Sequence, residues 1–451
     1  MKPNASSQRR AHNPVLRGSE AATALNLADR CRAQLSPALQ ALLQVAAQVA
    51  EEMGFSVYAV GGFVRDLLLG VKNEDIDLTV EGEGIAFARH LAATLGGTCE
   101  RPSAFGTAVV VAPDGHKVDV ATARSETYKH PAALPTVRPG TIRDDLFRRD
   151  FTINTLAFAL HGPQAYALLD WYGGYADLSE GIIRVLHNRS FRDDPTRIFR
   201  AIRLAQRFGF ILHPHTLRLL HRAVHKGWIA GLSGARLWRE VRLMLAGESP
   251  VQCLLRLDEM GVLPQIDPAL TLSQERLGLL TRVYEARVEL ADTAPDAVGR
   301  AWPAYLAALL QGLDASVIRR VCARMALSPR ATQELIAGIG VVEDACRRLC
   351  GDGDARPSAV VAALRPLPSD LVPLLMAWCP QRECQQLIRH YLTTWRHIRP
   401  CLTGDDLKRL GAQQGPQIGR LLARLQAAKL DGEAPTREVE EALVSTILRS
   451  S

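Results

Sequence analysis

The feature that most constrains the fold of this chain is a glycine pair followed by two closely spaced aspartates. An apolar run, residues 56–60, leads into Gly61-Gly62, and Asp75 and Asp77 follow after a second short apolar stretch. This pattern predicts a strand, a helix that begins at the glycines, and a second strand that carries both aspartates. Because side chains alternate along a strand, the two carboxylates are expected on one face.

The two aspartates and the two glycines together indicate a particular chemistry. Two carboxylates at this spacing repel each other, and a divalent cation between them removes the repulsion. Glycine lets the backbone approach a ligand closely, and the free N–H groups of a helix start favour phosphate. We therefore expect Gly61 and Gly62 to cradle phosphates, and Asp75 and Asp77 to hold metal for chemistry on a nucleoside triphosphate.

Five stretches of the chain resemble one family in the same order. The run Gly61 to Asp66, followed by Asp75-Ile76-Asp77, resembles the signature of class II tRNA nucleotidyltransferases and the related bacterial poly(A) polymerases. These belong to the DNA polymerase β-like nucleotidyltransferase superfamily. The resemblance is strong from Val57 to Leu245 and returns more weakly over residues 402–432. The other four stretches are Arg148 to Asn154, Asp170 to Leu186, Asp193 to Arg203, and Ser233 to Glu240.

The resemblance implies an enzyme that transfers a nucleotidyl group from CTP and/or ATP to the 3′ hydroxyl of tRNA and releases pyrophosphate. Mg²⁺ is the expected cofactor, held by Asp75 and Asp77 for two-metal catalysis. The expected partners are the tRNA acceptor arm, CTP and ATP, with the RNA bound by shape and phosphate.

Alternative functions remain open at this point. The enzyme is expected to add CCA, but it can also be one that adds only A or only CC, or a poly(A) polymerase. Residues 184–197 particularly resemble A-adding members of the family. A catalytically inactive RNA-binding protein on the same fold is disfavoured, since both aspartates and the arginine set are intact.

Asp194 and Arg197 are the candidates for reading the base. Asp194 precedes Pro195, which by local rules makes it the N-cap of a helix with proline at its first position. The family resemblance assigns Asp194 and Arg197 to the Watson–Crick edge of the incoming base. A carboxylate accepts from an exocyclic amino group and a guanidinium donates to a ring acceptor, a combination that cytosine and adenine share. Such a pair accepts CTP and ATP without a nucleic-acid template.

Further basic residues are predicted to bind the nucleotide. Arg200, Arg203 and Arg207 continue from Arg197 at helical spacing, and a stripe of four arginines repels itself unless anions lie along it. We predict nucleotide contacts for Arg200 and Arg203. Arg149 is expected to bind the triphosphate.

Three more residues complete the candidate site. Arg65 lies one turn into the helix after the glycines, where it can reach phosphate or ribose. Asp150 is expected to pair with an arginine. Asp119 has two open interpretations, a third carboxylate near the metals or a solvent-facing strand residue.

The formal charge of +7 is unevenly distributed. The segment from Arg184 to Arg242 contains thirteen Lys or Arg and three acids, an excess of ten, so the remainder of the chain carries −3. A local excess of this size is typical of a phosphate-binding surface. Arg218 and Arg222 lie one turn apart beyond the arginine stripe, and they are either RNA contacts or a solvated helix face.

The fold class expected is α+β, with a small mixed nucleotidyltransferase head followed by a long all-α body. Val109–Val111 and Val118–Val120 flank Asp114-Gly115, which predicts a hairpin beside the aspartate strand. Residues 124–139 show no clear period and are expected to form a mobile loop. The predicted parts are a disordered basic tail (1–20), a catalytic head with a helical lead-in (21–181), a helical nucleotide-reading and RNA-binding domain (182–250), a helical body (251–400) and a C-terminal helical tail (401–451).

Composition indicates the compartment. No apolar run approaches the roughly 20 residues that span a bilayer, and the N-terminus lacks the apolar segment of a secretory signal. The nine cysteines are scattered, and neither Cys346/Cys350 nor Cys379/Cys384 has the short-loop spacing of a zinc site. We expect reduced thiols in a cytoplasmic protein without a membrane segment.

Overall fold

The computed structural model describes residues 25–103, 105–351, 356–379 and 381–449. The predicted basic tail, residues 1–20, lies outside them. Contacts divide the chain into two compact units that meet in sequence between Leu232 and Ser233. The finer domain boundaries given above stay predictions.

The first unit contains every strand that the structure describes. Seven of the strands form one sheet in the order β3-β4-β5-β2-β1-β8-β9, and the other four make two short ribbons. The strands are β1 (Ser56–Val60), β2 (Ile76–Glu81), β3 (Thr98–Glu100), β4 (Thr107–Val111), β5 (Lys117–Thr122), β6 (Arg124–Thr127), β7 (Thr136–Pro139), β8 (Ala157–Ala159), β9 (Leu168–Leu169), β10 (Ile182–Ile183) and β11 (Ile211–Leu212).

The sheet is mixed, which confirms the predicted head. β1 pairs antiparallel with β2 and with β8, whereas β2 pairs parallel with β5. β4 and β5 form the predicted hairpin, and its turn closes where Gly115 donates to the Ala112 carbonyl over 2.9 Å. Because the pairing is parallel, the N-terminal start of the aspartate strand β2 lies beside the N-terminal start of β5.

The described residues of the first unit also form nine α-helices. The predicted lead-in forms two of them, and the second buries Leu39, Leu43 and Ala46 as its spacing indicates. The helices are α1 (Ala28–Gln34), α2 (Pro37–Met53), α3 (Gly62–Leu69), α4 (Gly84–Leu95), α5 (Ile142–Phe147), α6 (Gly174–Glu180), α7 (Ser190–Asp193), α8 (Thr196–Phe208) and α9 (Pro214–His225).

The segment expected to be a mobile loop is instead ordered as a ribbon, so that prediction is wrong. β6 pairs antiparallel with β7 from Arg124↔Pro139 to Thr127↔Thr136. Glu126 fixes the ribbon, because its carboxylate accepts from Arg124, Arg148 and the Tyr128 hydroxyl. Polar contacts rather than apolar alternation hold this ribbon, which is why the hydrophobic pattern did not reveal it.

The described residues of the second unit contain helices and no strand, which confirms the all-α body. The helices are α10 (Gly234–Leu245), α11 (Pro250–Glu259), α12 (Leu263–Ile266), α13 (Gln274–Thr293), α14 (Trp302–Leu310), α15 (Ala315–Arg324), α16 (Pro329–Cys350), α17 (Pro357–Leu364), α18 (Val372–Trp378), α19 (Arg382–Thr393), α20 (Gly404–Arg409), α21 (Pro416–Leu430) and α22 (Arg437–Arg449).

Across the described ranges, no single helix has the length and apolar character needed to cross a bilayer. The helices Pro357–Leu364 and Ser369–Trp378 are long and apolar enough only when counted as one segment. The chain bends by 103° between them.

Candidate active site

The glycine pair forms the predicted turn between β1 and α3. Gly61 has φ +68°, on the side of conformational space that glycine adopts without strain. Its N–H donates to the Leu156 carbonyl over 2.9 Å. A Cβ atom at this position would collide with the Arg149 guanidinium. The turn therefore needs glycine so that Arg149 can lie against the backbone where α3 begins.

The two predicted aspartates lie at the start of β2. Ile76, Leu78 and Val80 are buried, as the alternation predicts, while Asp77 occupies the other face and Asp75 precedes the strand. The parallel register sets Asp77 directly opposite Asp119 of β5. Three carboxylates thus come from two neighbouring strand ends.

The electrostatics of this group follow from that crowding. The pKa of Asp77 is raised to about 6, first by burial and then by Asp119 and Asp75, against the opposing effect of Arg149. Partial burial and the nearby Asp75 also raise the pKa of Asp119. Of the two open interpretations, the geometry favours Asp119 as a member of the carboxylate group, although its side chain is exposed to solvent.

Arg149 lies between the glycine turn and a buried acid. Its guanidinium pairs with Asp145 at 3.1 Å, and its buried Nε has no hydrogen-bond partner among the described residues. Asp145 also pairs with Arg148 at 2.6 Å. Burial raises the pKa of Asp145, but Arg149 and Arg148 outweigh it and hold this pKa below its usual range. Asp145 thus stays ionised and fixes Arg149 beside Asp77.

Arg65 is placed differently from the expectation of a phosphate or ribose contact. Its side chain is buried, pairs with Asp66 at 2.7 Å, and donates to the Asn154 Oδ1 over 2.6 Å. The guanidinium also lies 4.8 Å from the centre of the Phe208 ring. The observed contacts make Arg65 a support beneath the glycine turn, and its binding to nucleotide stays a prediction.

The arginine stripe of α8 is matched by acids of the protein itself. Arg200 pairs with Asp150 at 2.6 Å, as predicted for Asp150, and Arg207 lies 3.8 Å from Asp66. Burial alone would raise the pKa of Asp150, but Arg200, Asn154 and Arg197 lower it to about 2. Protein carboxylates therefore already offset part of the charge that the sequence pattern assigned to external anions.

The prediction that Asp194 is the N-cap of α8 is wrong by one residue, because Pro195 is the N-cap and the helix begins at Thr196. The Asp194 Oδ1 accepts from the Thr196 N–H over 2.9 Å and from the Thr196 hydroxyl over 2.5 Å. Arg197 donates to the Ser190 hydroxyl at 2.7 Å and to the Arg148 carbonyl at 2.6 Å. Arg203 lies half-buried two turns further along α8. The contacts of Arg197 join the start of α8 to the segment that carries Arg149.

A cavity of about 540 Å³ opens beside Arg197. Its wall includes Tyr128, Phe147 and His187, none of which the sequence analysis identified. The Phe147 and His187 rings lie 5.6 Å apart, and burial, followed by the nearby Arg197, lowers the pKa of His187. In the sequence, Tyr128, Phe147 and His187 are aromatic residues near charged ones. That pattern is too common to identify a site.

Comparison with known proteins extends this geometry. Residues 57–184 match the family model described as the poly A polymerase head domain, and residues 209–272 match a probable RNA and SrmB-binding site of polymerase A. The A-adding tRNA nucleotidyltransferase of Geobacter sulfurreducens is 42% identical over 89% of this chain and 46% of its own length. The enzyme of the same name from Halalkalibacterium halodurans is 31% identical over 88% of this chain and 90% of its own. The chain belongs to the tRNA nucleotidyltransferase and bacterial poly(A) polymerase family.

A solved member of this family shows how far the likeness reaches. The CCA-adding enzyme of Thermotoga maritima, complexed with tRNA, aligns with a TM-score of 0.73 at 30% identity, covering 94% of this chain and 99% of its own. The likeness therefore includes the helical body as well as the head. By length, the chain spans about half of the Geobacter relative and nine tenths of the Halalkalibacterium one.

Proposed function

We propose that this protein transfers nucleotidyl groups from CTP and/or ATP to the 3′ hydroxyl of tRNA and releases pyrophosphate. The observation that carries the proposal is the parallel pairing of Asp77 with Asp119, with Arg149 and the Gly61 turn beside it. The arrangement brings the three aspartates close to the glycine turn that we propose binds phosphate. The names of the relatives supply the reaction class.

The donor set fits Mg²⁺, the cofactor we propose. Asp75, Asp77 and Asp119 offer only carboxylate oxygens, which are the ligands this ion prefers. Burial raises the pKa of Asp77, and repulsion from Asp119 and Asp75 adds to the rise. Asp75 and Asp77 would hold the metal, with Asp119 as a third ligand. When bound, Mg²⁺ supplies activation of the 3′ hydroxyl and charge stabilisation on the leaving pyrophosphate.

The chain's own groups bind and orient the nucleotide in this proposal. The N–H groups at the start of α3 and the Arg149 guanidinium bind the triphosphate, with Gly61 and Gly62 leaving room for it. Asp145 keeps Arg149 in place through its 3.1 Å ion pair. The water-exposed edge beside Asp119 leaves space for an incoming 3′ hydroxyl.

Base choice is assigned to Asp194 and Arg197. Both are held by hydrogen bonds, Asp194 by the Thr196 N–H and Arg197 by Ser190 and the Arg148 carbonyl. Arg197 borders the cavity of about 540 Å³, which is of a size that holds a nucleobase. Arg200 and Arg203 follow Arg197 along α8 and are the further residues that we assign to nucleotide binding.

Among the activities of this family, we favour addition of the terminal A. The two relatives named above carry that activity in their names, including the one that is 42% identical. Residues 184–197 also resemble A-adding members. CCA addition and CC addition are the competing products, and the proposed location is the cytoplasm.

The test is addition of nucleotides to tRNA transcripts that end before CCA, in C, or in CC. Each transcript is incubated with ATP alone, CTP alone, or both, and the added length is read on a sequencing gel. We expect a single A on the CC-ending transcript. Addition from CTP would shift the product to CC or CCA, and long A tracts on any RNA would make the protein a poly(A) polymerase.

Two variants separate the proposed site from contaminating activity. Asp77→Ala should abolish addition on every transcript, whereas Asp114→Ala, in the exposed turn between β4 and β5, should not change it. Equal activity of both variants would mean that the carboxylate group does not carry the reaction.

A further inference from the structure

Four cysteines meet in the second unit, although they are far apart in sequence. Cys346 and Cys350 lie in the last turns of α16, Cys379 directly follows α18, and Cys384 lies in the first turn of α19. The Sγ atoms of Cys346, Cys350 and Cys379 all lie within 4.8 Å of one another. The Cys384 thiol neighbours the Cys350 thiol but lies outside this group of three.

The sulfur spacing fits one shared ion. The Sγ atoms of Cys346 and Cys350 are 3.9 Å apart, and both cysteines are free. A tetrahedral zinc ion with Zn–S bonds of about 2.3 Å holds its sulfurs about 3.8 Å apart. A disulfide needs about 2.05 Å. An iron–sulfur cluster distributes its thiolates over separate iron atoms, which holds them further apart than three sulfurs around a single point.

The surroundings also suit a metal-bound thiolate group. Cys379 and Cys384 are buried, and Cys346 and Cys350 are half-buried, so water has limited access to the sulfurs. A cation bound by these sulfurs would displace their thiol protons.

We propose that Cys346, Cys350, Cys379 and Cys384 bind one Zn²⁺ ion as a four-thiolate structural site. Thiolate sulfur selects Zn²⁺ over the oxygen-preferring ions of the head. Cys384 completes the set by turning away from its present acceptors, the Leu349 carbonyl at 3.3 Å and the Gln381 Oε1 at 3.1 Å. With four protein ligands the site has no open position, so it is structural rather than catalytic.

The consequence of the site is a cross-link inside the helical body. The ion would tie the C-terminal end of α16 to the connection between α18 and α19, three elements that otherwise meet through packing and a few hydrogen bonds. Removing the ion should therefore loosen this part of the second unit and leave the nucleotide site of the first unit chemically unchanged.

The first experiment measures the metal directly. The full chain, produced without a metal-binding tag and purified under reducing conditions, is analysed for zinc by mass spectrometry. We expect one zinc ion per chain. The apoprotein is then titrated with Co²⁺, which in a four-thiolate site gives an intense sulfur-to-cobalt charge-transfer band together with the visible bands of tetrahedral Co²⁺.

Variants assign the metal to these cysteines. Cys346→Ser combined with Cys350→Ser should remove the zinc and the cobalt band, whereas Cys401→Ser, an exposed thiol of the same unit, should retain both. Chelation should lower the Tm of the wild type and of Cys401→Ser, but not that of the double variant. Nucleotide addition by the double variant shows that the chain has folded.

Several outcomes would overturn the proposal. A zinc-free protein that shows no cobalt band, or a double variant that keeps its zinc, removes the assignment. A Cys346–Cys350 disulfide in the non-reduced protein would make the pair a redox element instead. Iron with acid-labile sulfide would make the site an iron–sulfur cluster. Because the cobalt titration uses the wild type, the proposal remains testable even if the variants do not fold.

Discussion

Asp77 belongs both to the buried strand β2 and to a group of three carboxylates. Replacing Asp75 or Asp77 with Ala should lower the rate of nucleotide addition on the order of a thousandfold or more, since metal binding stabilises the transition state by several kcal/mol. tRNA binding should persist. Single-turnover rates with Mg²⁺, together with filter binding of tRNA, measure the two effects, and near-normal turnover in either variant would remove the metal assignment.

Asp194 has two roles that one substitution can separate. Its Oδ1 accepts from the Thr196 N–H at the start of α8, and the Asn side-chain oxygen can accept the same bond, so Asp194→Asn should leave the Tm unchanged. If Asp194 also reads the base, the amide replaces an acceptor with a donor and discrimination against UTP or GTP should relax. Misincorporation assays with each nucleotide test this. Unchanged specificity would mean that Asp194 only holds Thr196 at the start of α8.

Asp150 is the residue whose contribution to stability should depend most clearly on pH. It is buried against Arg200, and its pKa of about 2 lies below the value of about 3.9 expected in the unfolded chain. A depressed folded-state pKa stabilises the protein above the unfolded pKa, and this contribution falls as pH approaches the folded pKa. Asp150→Asn should therefore cost about 3 kcal/mol at pH 7 and about half as much near pH 3.

Urea denaturation at the two pH values measures this difference. Glu51→Gln, exposed on α2, is the matched control and should change the free energy of unfolding at neither pH. A penalty for Asp150→Asn that is the same at both pH values would show that the ion pair with Arg200 does not control it.

At the scale of single elements, helix α9 is the clearest candidate for contact with RNA. Arg218 and Arg222 are exposed one turn apart, and α9 lies inside the region matched by the RNA-binding family model. Replacing both with Ala should weaken tRNA binding and flatten its salt dependence by about 0.7 to 0.9 per lost phosphate contact. The KM for the nucleotide should stay nearly constant.

The control for this pair is Arg89→Ala, which removes an exposed arginine from α4 in the same unit. It should leave the salt dependence of tRNA binding unchanged. A double variant of α9 that keeps the wild-type salt slope would move the RNA surface elsewhere, with residues 408–429 as the next candidate.

At the scale of the whole molecule, the uneven charge should control association with RNA. The segment from Arg184 to Arg242 has an excess of ten positive charges, of which Asp150 and Asp66 of the head offset a part. We expect tRNA affinity to fall linearly in a plot of log K against log salt, as counterion release requires. Equilibrium binding between low and physiological salt measures the slope, and a flat plot would exclude a phosphate-dominated interface.

Much of the fold and part of the site were predictable because they depend on neighbours in the chain. The alternation around Asp77 predicted its strand face, the glycines predicted the turn into α3, and helical spacing predicted that the arginine stripe lies on one helix, α8. These patterns arise because side-chain direction repeats every two residues in a strand and every 3.6 residues in a helix. Backbone geometry sets both periods, so they do not depend on the tertiary structure.

Only the tertiary structure decided which distant groups meet. The parallel pairing of β2 with β5 brought Asp119 to Asp77, packing committed Arg65 to Asp66 and Asn154, and the packing of α16 against α18 brought together the thiols of Cys346, Cys350 and Cys379. The ribbon of β6 and β7 is similar, since Glu126 holds it through Arg148, which lies 22 residues away. Such contacts depend on how buried surfaces pack and on which buried charges must be paired. The spacing of residues along the chain predicts neither.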